Sequence, residues 1–100
     1  MKVIMDLCLV PIGIGVSVSK YISACEEILQ KAGLKTQLHA YGTNIEGDWD
    51  VAMAAVKECH QKIHDMGAPR ITSTLRFGTR IDRDQTMEDK IQSVVSKTSR

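Results

Sequence analysis

Tyr41-Gly42-Thr43-Asn44-Ile45-Glu46-Gly47-Asp48-Trp49-Asp50 gathers most of the groups in this chain that could recognise a small molecule. The two glycines allow tight backbone geometry that other residues resist. Around them stand an amide (Asn44), three carboxylates (Glu46, Asp48, Asp50), two hydroxyls (Tyr41, Thr43) and the only tryptophan, Trp49. A flat stacking surface beside hydrogen-bond donors and acceptors is what a small planar polar ligand requires. A turn leading into a capped helix, with Trp49 as a packing residue, is the plainer reading of the same stretch.

The other constellations promise less. Pro11 to Ser19 is glycine-containing, but it lacks the lysine-serine or lysine-threonine ending of a P-loop and the three-glycine dinucleotide fingerprint. It could still offer backbone N–H groups and Ser17 to a ligand at a helix N-terminus. His60 and His64 lie one helical turn apart, yet no third ligand follows at metal-binding spacing, and both fall opposite the apolar stripe of their helix. Cys59 precedes His60, but adjacent helical residues diverge, so no nucleophile-base pair results. Arg70, Arg76, Arg80 and Arg83 crowd one region with Asp82 and Asp84 among them. A phosphate site fits that arrangement better than a nucleic-acid surface, and an Arg80–Asp82 pair is the simplest outcome. Nothing supplies a general acid-base pair, so the residues read as a binding protein without catalysis, metal or cofactor.

A chain of 100 residues is expected to form a single domain spanning 1–100. With 43% hydrophobic and 25% charged residues it has the composition of a globular protein and not of a disordered one. A net charge of +1 gives no electrostatic footprint for nucleic acid. No apolar run approaches the roughly 20 residues that span a bilayer. Met1 to Val10 is interrupted by Asp6 and does not read as a signal peptide. Three unpaired cysteines in strand or helix patterns point to reduced, buried thiols and a cytoplasmic setting.

Periodicity supplies the elements that must position these groups. Lys2 to Val10 alternates as a strand, with Val3, Met5, Leu7 and Leu9 on one side. Ser17 or Ser19 can cap a helix with the stripe Val18, Ile22, Cys25 and Leu29, stopped by Gly33. Leu34 to Tyr41 alternates again, and Gly42 to Asp48 reads as a turn with a short returning strand. Asp48 can cap a second helix buried through Ala52, Ala55, Val56, Cys59, Ile63 and Met66, with Gly67 ending it. A strand from Arg70 to Phe77 follows. Thr86-Met87-Glu88-Asp89 resembles a capping box opening a last helix, with Met87, Ile91, Val94 and Val95 inward and a frayed end beyond. Two strand-helix-strand halves make a ferredoxin-like βαββαβ α+β sandwich, an antiparallel sheet with helices on one face and an added C-terminal helix. The other face carries Ile4, Asp6, Cys8, Val10, His39, Tyr41, Thr72, Thr74 and Arg76, a mixture suited to cover by a second copy of the chain.

Asp6-Leu7-Cys8-Leu9-Val10-Pro11-Ile12-Gly13, the Tyr41–Asp50 stretch and Arg76-Phe77-Gly78-Thr79-Arg80 together resemble the small thiamine-binding protein family, over nearly the whole chain and in the same order. The resemblance implies a ferredoxin-like fold, a tetramer built as a dimer of dimers, and binding of thiamine or its hydroxymethylpyrimidine portion. For such a ligand Glu46 would accept from the exocyclic amine, and Asn44 would supply either partner. Trp49 or Tyr41 would stack on the ring, and Ser17 or Thr43 would bind the hydroxyl end. The alternative is a structural or regulatory homo-oligomer that senses another metabolite.

Overall fold

Val3, Met5, Leu7 and Leu9 alternate along the first strand, β1 (Lys2–Ile12), and none is more than 6% exposed. The computed structural model describes residues 1–98; the last two, part of the expected frayed end, lie outside the described residues. β1 is followed by α1 (Ser19–Lys31), β2 (Lys35–His39), β3 (Gly42–Asp48), α2 (Trp49–Asp65), β4 (Arg70–Gly78) and α3 (Met87–Val95). The four strands pair antiparallel in the order β2-β3-β1-β4. The ferredoxin-like expectation therefore holds, with β3 slotted between the parallel pair β1 and β2.

The core lies between the sheet and the two long helices. Ile45 of β3, Cys25 and Leu29 of α1, and Ala52, Ala55, Cys59 and Ile63 of α2 are all buried against the β1 stripe. Small residues at Ala52, Ala55 and Cys59 recur at the helical three- and four-residue spacing and let α2 sit close to the sheet. Hydrogen bonding to Cys25 and burial push the Cys59 thiol up, so it stays protonated as a core residue. Asp48 caps α2, accepting from the Asp50 and Val51 amides at 3.1 and 3.4 Å. Thr86 and Asp89 form the reciprocal box that opens α3.

Four local expectations change. The second strand stops at His39, because Ala40 and Tyr41 form a two-residue hairpin turn. The expected turn and short returning strand beyond it is strand throughout: Gly42–Asp48 form the seven-residue β3, with partners on both edges. Neither Ser17 nor Ser19 caps α1. Val18 holds that position with no side-chain bond, its carbonyl accepting from the Tyr21 and Ile22 amides after Gly13 and Gly15 turn the chain through positive φ. Finally, α3 lies on the face opposite the other helices, and only Met87 is buried there; Val94 remains 64% exposed. Met87 in its first turn reaches the sheet, and Lys90 and Ile91 overlook a groove above Ile4, Asn44 and Arg76.

A candidate ligand site between the first helix and the central hairpin

The stripe of α1 that enters the core is Tyr21, Cys25 and Leu29. Its flank, Val18, Ile22 and Glu26, recurs every four residues and so forms a second row one step around the helix. That row overlooks a cavity of about 260 Å³, closed below by Leu7 and Leu9 of β1 and on the far side by Leu38, Tyr41 and Thr43 of the β2–β3 hairpin. Ligand pockets run from about 300 Å³ upward, so this space suits a small heteroaromatic molecule.

Nearly all of the lining is apolar, and two polar side chains converge in it. Thr43 Oγ1 donates to Glu26 Oε1 at 2.5 Å, with Thr43 only 5% exposed. The second carboxylate oxygen of Glu26 accepts no hydrogen bond among the described residues. A half-buried carboxylate with one lone-pair-rich oxygen to spare, in a greasy cleft, is built to accept N–H donors and to favour a cation. No group of three or more His, Cys, Asp or Glu side chains that could hold a metal ion stands among the described residues.

Of the residues picked out in the sequence, Tyr41 and Thr43 line this cavity, and Ser17 stands in the exposed loop one residue before Val18. Asn44 and Glu46 do not, because alternate β3 residues point to opposite faces of the sheet. Asn44 Nδ2 donates to Gln37 Oε1 at 3.4 Å on the open face. Glu46 is 8% exposed and accepts from the Met87 amide at 2.6 Å, so its carboxylate holds the start of α3. Trp49 begins α2 and meets Phe77 edge-to-face at 5.1 Å. It lies beyond the far end of β3, about 20 Å along the strand direction from Thr43. Glu26 is the residue that sequence reasoning missed. The signal was present, a carboxylate falling four residues after Ile22 within an otherwise apolar row.

His60 and His64 do not converge either. His60 Nε2 shares a hydrogen bond with Ser73 Oγ at 2.7 Å, and His64 Nδ1 one with the Ala68 carbonyl at 2.7 Å.

Behind the cavity, on the open face, Asp6 is held by two neighbours. His39 Nε2 lies 2.7 Å from its Oδ1, and Arg76 Nη2 donates to Oδ2 at 3.2 Å. The Tyr41 amide donates to His39 Nδ1 at 3.3 Å, which makes Nε2 the protonated nitrogen facing Asp6. The hydrogen bond from His39, and then Arg76, hold the Asp6 carboxyl below the usual carboxylate range against the opposing effect of burial. A depressed folded-state value means stability that is present above the unfolded value and lost as pH falls through the folded one. Asp6→Asn should therefore cost on the order of 1 kcal/mol at pH 7, and the gap to the native protein should narrow as pH falls below the ordinary carboxylate range. Urea denaturation across that range checks this.

The strand order and layer arrangement define the chain as a ferredoxin-like α+β protein. A family model described as "Thiamine-binding protein" matches residues 5–95, and the chain belongs to that family. It is 64% identical over 94 residues to a UPF0045 protein of Synechocystis sp., covering 94% of this chain and 78% of that one. A UPF0045 protein of the fungus Eremothecium gossypii is 39% identical over 97 residues, covering 96% and 92% of the two chains. Among solved structures, a hypothetical protein of Methanocaldococcus jannaschii superposes with a TM-score of 0.88 at 35% identity, over 94% of this chain and 96% of that one. A Thermotoga maritima protein described as a candidate for thiamine biosynthesis or salvage has the same fold, with a TM-score of 0.80 at 22% identity over 94% and 99%.

Proposed function

We propose that this protein binds thiamine, or its hydroxymethylpyrimidine portion, without catalysing a reaction, and that it does so in the cavity between α1 and the β2–β3 hairpin. The observation that carries the reading is the single half-buried carboxylate of Glu26, set beside Thr43 in an apolar cleft. An aminopyrimidine presents an exocyclic amine beside ring nitrogens. Glu26 accepts from the amine through its second oxygen while the Thr43 hydroxyl holds the first, and Val18, Ile22 and Leu38 cover the ring faces. The thiazolium charge, near the mouth, lies within the field of the same carboxylate and beside the Tyr41 ring. Membership of a family described as thiamine-binding, and the salvage role suggested for the Thermotoga protein, agree with this ligand.

In the same reading the protein is a cytoplasmic dimer of dimers, in which exposed apolar groups such as Val10 (44% exposed) on the open face and Val94 and Val95 (64% and 43%) on α3 are covered by a second copy. Isothermal titration with thiamine, and separately with hydroxymethylpyrimidine, tests the proposal on protein whose mass has been fixed by light scattering. Saturable heat near micromolar affinity, about −8 kcal/mol, is expected for at least one of them. A flat trace for both with folded, assembled protein would leave the alternative of an oligomer that senses another metabolite.

A further inference from the structure

The face opposite the cavity holds a second depression that thiamine binding does not use. Where α3 crosses the end of the sheet, a small pocket of about 130 Å³ lies against Lys2, Thr79, Arg83, Gln85 and Lys90. It opens into a groove of about 420 Å³ under α3, lined by Asp6, Asn44, Arg76, Met87 and Ile91. Ile4, Gly78 and Lys90 belong to the walls of both, so the two form one trough.

Most of the acidic groups nearby are already committed. Arg80, also in the pocket wall, grips Asp82 through Nε at 2.7 Å and through Nη2, and donates through Nη1 to Gln85 at 2.9 Å. That pairing draws the Asp82 carboxyl down to about 2, and the two charges cancel. Asp89 is held in the α3 capping box and Glu46 by the Met87 amide. Lys2 retains only a long 3.9 Å approach to Glu46, while Arg83 and Lys90 have no ion-pair partner among the described residues. Asp84 is the one carboxylate in the pocket wall. The wall of the small pocket therefore carries Lys2, Arg83 and Lys90 without a close carboxylate partner, with Asp84 in the same wall and Glu46 and Asp89 just outside it.

Its size selects a group and not a whole molecule, being well below the roughly 300 Å³ of a ligand pocket. Three cations arriving from separate elements, with a hydroxyl and an amide between them, suit a tetrahedral anion with several acceptor oxygens. A planar carboxylate would be better served by one arginine fork. The adjoining groove, with apolar Ile4, Met87 and Ile91 beside polar Asn44, Asp6 and Arg76, offers room for the organic part. The sheet separates this trough from the Glu26 cavity, and Ile4 and Cys8 stand about 13 Å apart along β1, so the two sites take separate ligands.

We propose that the trough beneath α3 is a second binding site, for a phosphorylated small molecule whose phosphoryl group sits between Lys2, Arg83 and Lys90. The inference stands whether or not thiamine is the ligand of the first cavity. The test is nuclear magnetic resonance titration of the labelled full chain with inorganic phosphate, with phenyl phosphate and with sodium chloride at matched ionic strength. Phosphate is expected to shift the amides of Thr79, Arg83, Gln85 and Lys90 saturably, and chloride is not. Phenyl phosphate is expected to bind at least several-fold more tightly and to extend the shifts to Asn44, Arg76 and Ile91. The double variant Arg83→Gln/Lys90→Gln, at two exposed positions, should fold normally, weaken phosphate binding at least 10-fold and leave the Glu26 cavity untouched. Equal shifts with chloride, or shifts spread evenly over Lys57, Lys62 and other surface lysines, would overturn the site. Phenyl phosphate binding no better than phosphate would overturn the groove as its organic half.

Discussion

Replacing Glu26 by glutamine is expected to weaken thiamine binding about 10- to 100-fold while the protein keeps its fold. A hydrogen bond to a charged group contributes about 1.5–3 kcal/mol, and each 1.4 kcal/mol is a factor of ten in affinity. Glutamine fills the same volume, and its carbonyl oxygen can still accept from the Thr43 hydroxyl, the bond that now spans 2.5 Å. What it removes is the negative charge that favours a cationic ligand, and it puts an NH₂ donor where an amine donor must be received. The loss should therefore appear in affinity and hardly at all in thermal stability. Thr43→Val, which leaves Glu26 charged, is the milder change, and Glu46→Gln should loosen α3 without affecting affinity, because Glu46 faces the other side of the sheet. Calorimetric titration of Glu26→Gln beside a thermal melt is the deciding pair of measurements. Native-like affinity would remove the cavity from the account of thiamine binding.

The largest single effect on stability is expected at Gly42. A Cβ there would stand 2.6 Å from the Leu7 carbonyl oxygen, 3.0 Å from Asp6 Oδ1 and 3.2 Å from His39 Cε1. The Leu7 oxygen is main chain in the centre of the sheet and cannot swing aside, so Gly42→Ala must push β3 away from β1 or twist the hairpin. Overpacking of this kind costs about 3 kcal/mol. Gly47 offers a control, since a Cβ there would meet Leu34 Cδ2 at 2.5 Å. That atom is the tip of a flexible side chain, and a rotamer change should hold the cost of Gly47→Ala to about 1 kcal/mol. Guanidinium denaturation of the two variants should show a clearly lower midpoint for Gly42→Ala. Equal midpoints would mean that the hairpin yields more easily than the backbone contact implies.

The stretch that begins beside Gly42 looks different in the fold than along the chain. In the linear chain Thr43, Asn44 and Glu46 are neighbours, and the stretch from Tyr41 to Asp50 looks like one recognition loop. In a strand, adjacent residues face opposite ways, so Thr43 and Ile45 enter the core side while Asn44 and Glu46 enter the open face. The fungal, archaeal and cyanobacterial relatives share this chain's family, but which residues of the stretch share a face of the sheet is set by that alternation and not by the motif's spelling. The last helix gives the same lesson from the other direction. Its cap at Thr86 was legible, yet its apolar stripe stays mostly in solvent: beyond buried Met87, Ile91, Val94 and Val95 are 38%, 64% and 43% exposed.

The residues by themselves determined the elements and the fold class. Period-two alternation in β1 and β4, the apolar rows of α1 and α2, the Asp48 and Thr86 caps and the stops at Gly33 and Gly67 are local features, each decided by groups a few residues apart. Only the tertiary structure decided the cavity. Glu26 and Thr43 are 17 positions apart, and their meeting depends on the angle at which α1 crosses β3. The trough beneath α3 likewise joins Lys2 to Arg83 and Lys90 from the two ends of the chain. Both sites are products of packing between distant elements, which periodicity along a single chain does not encode.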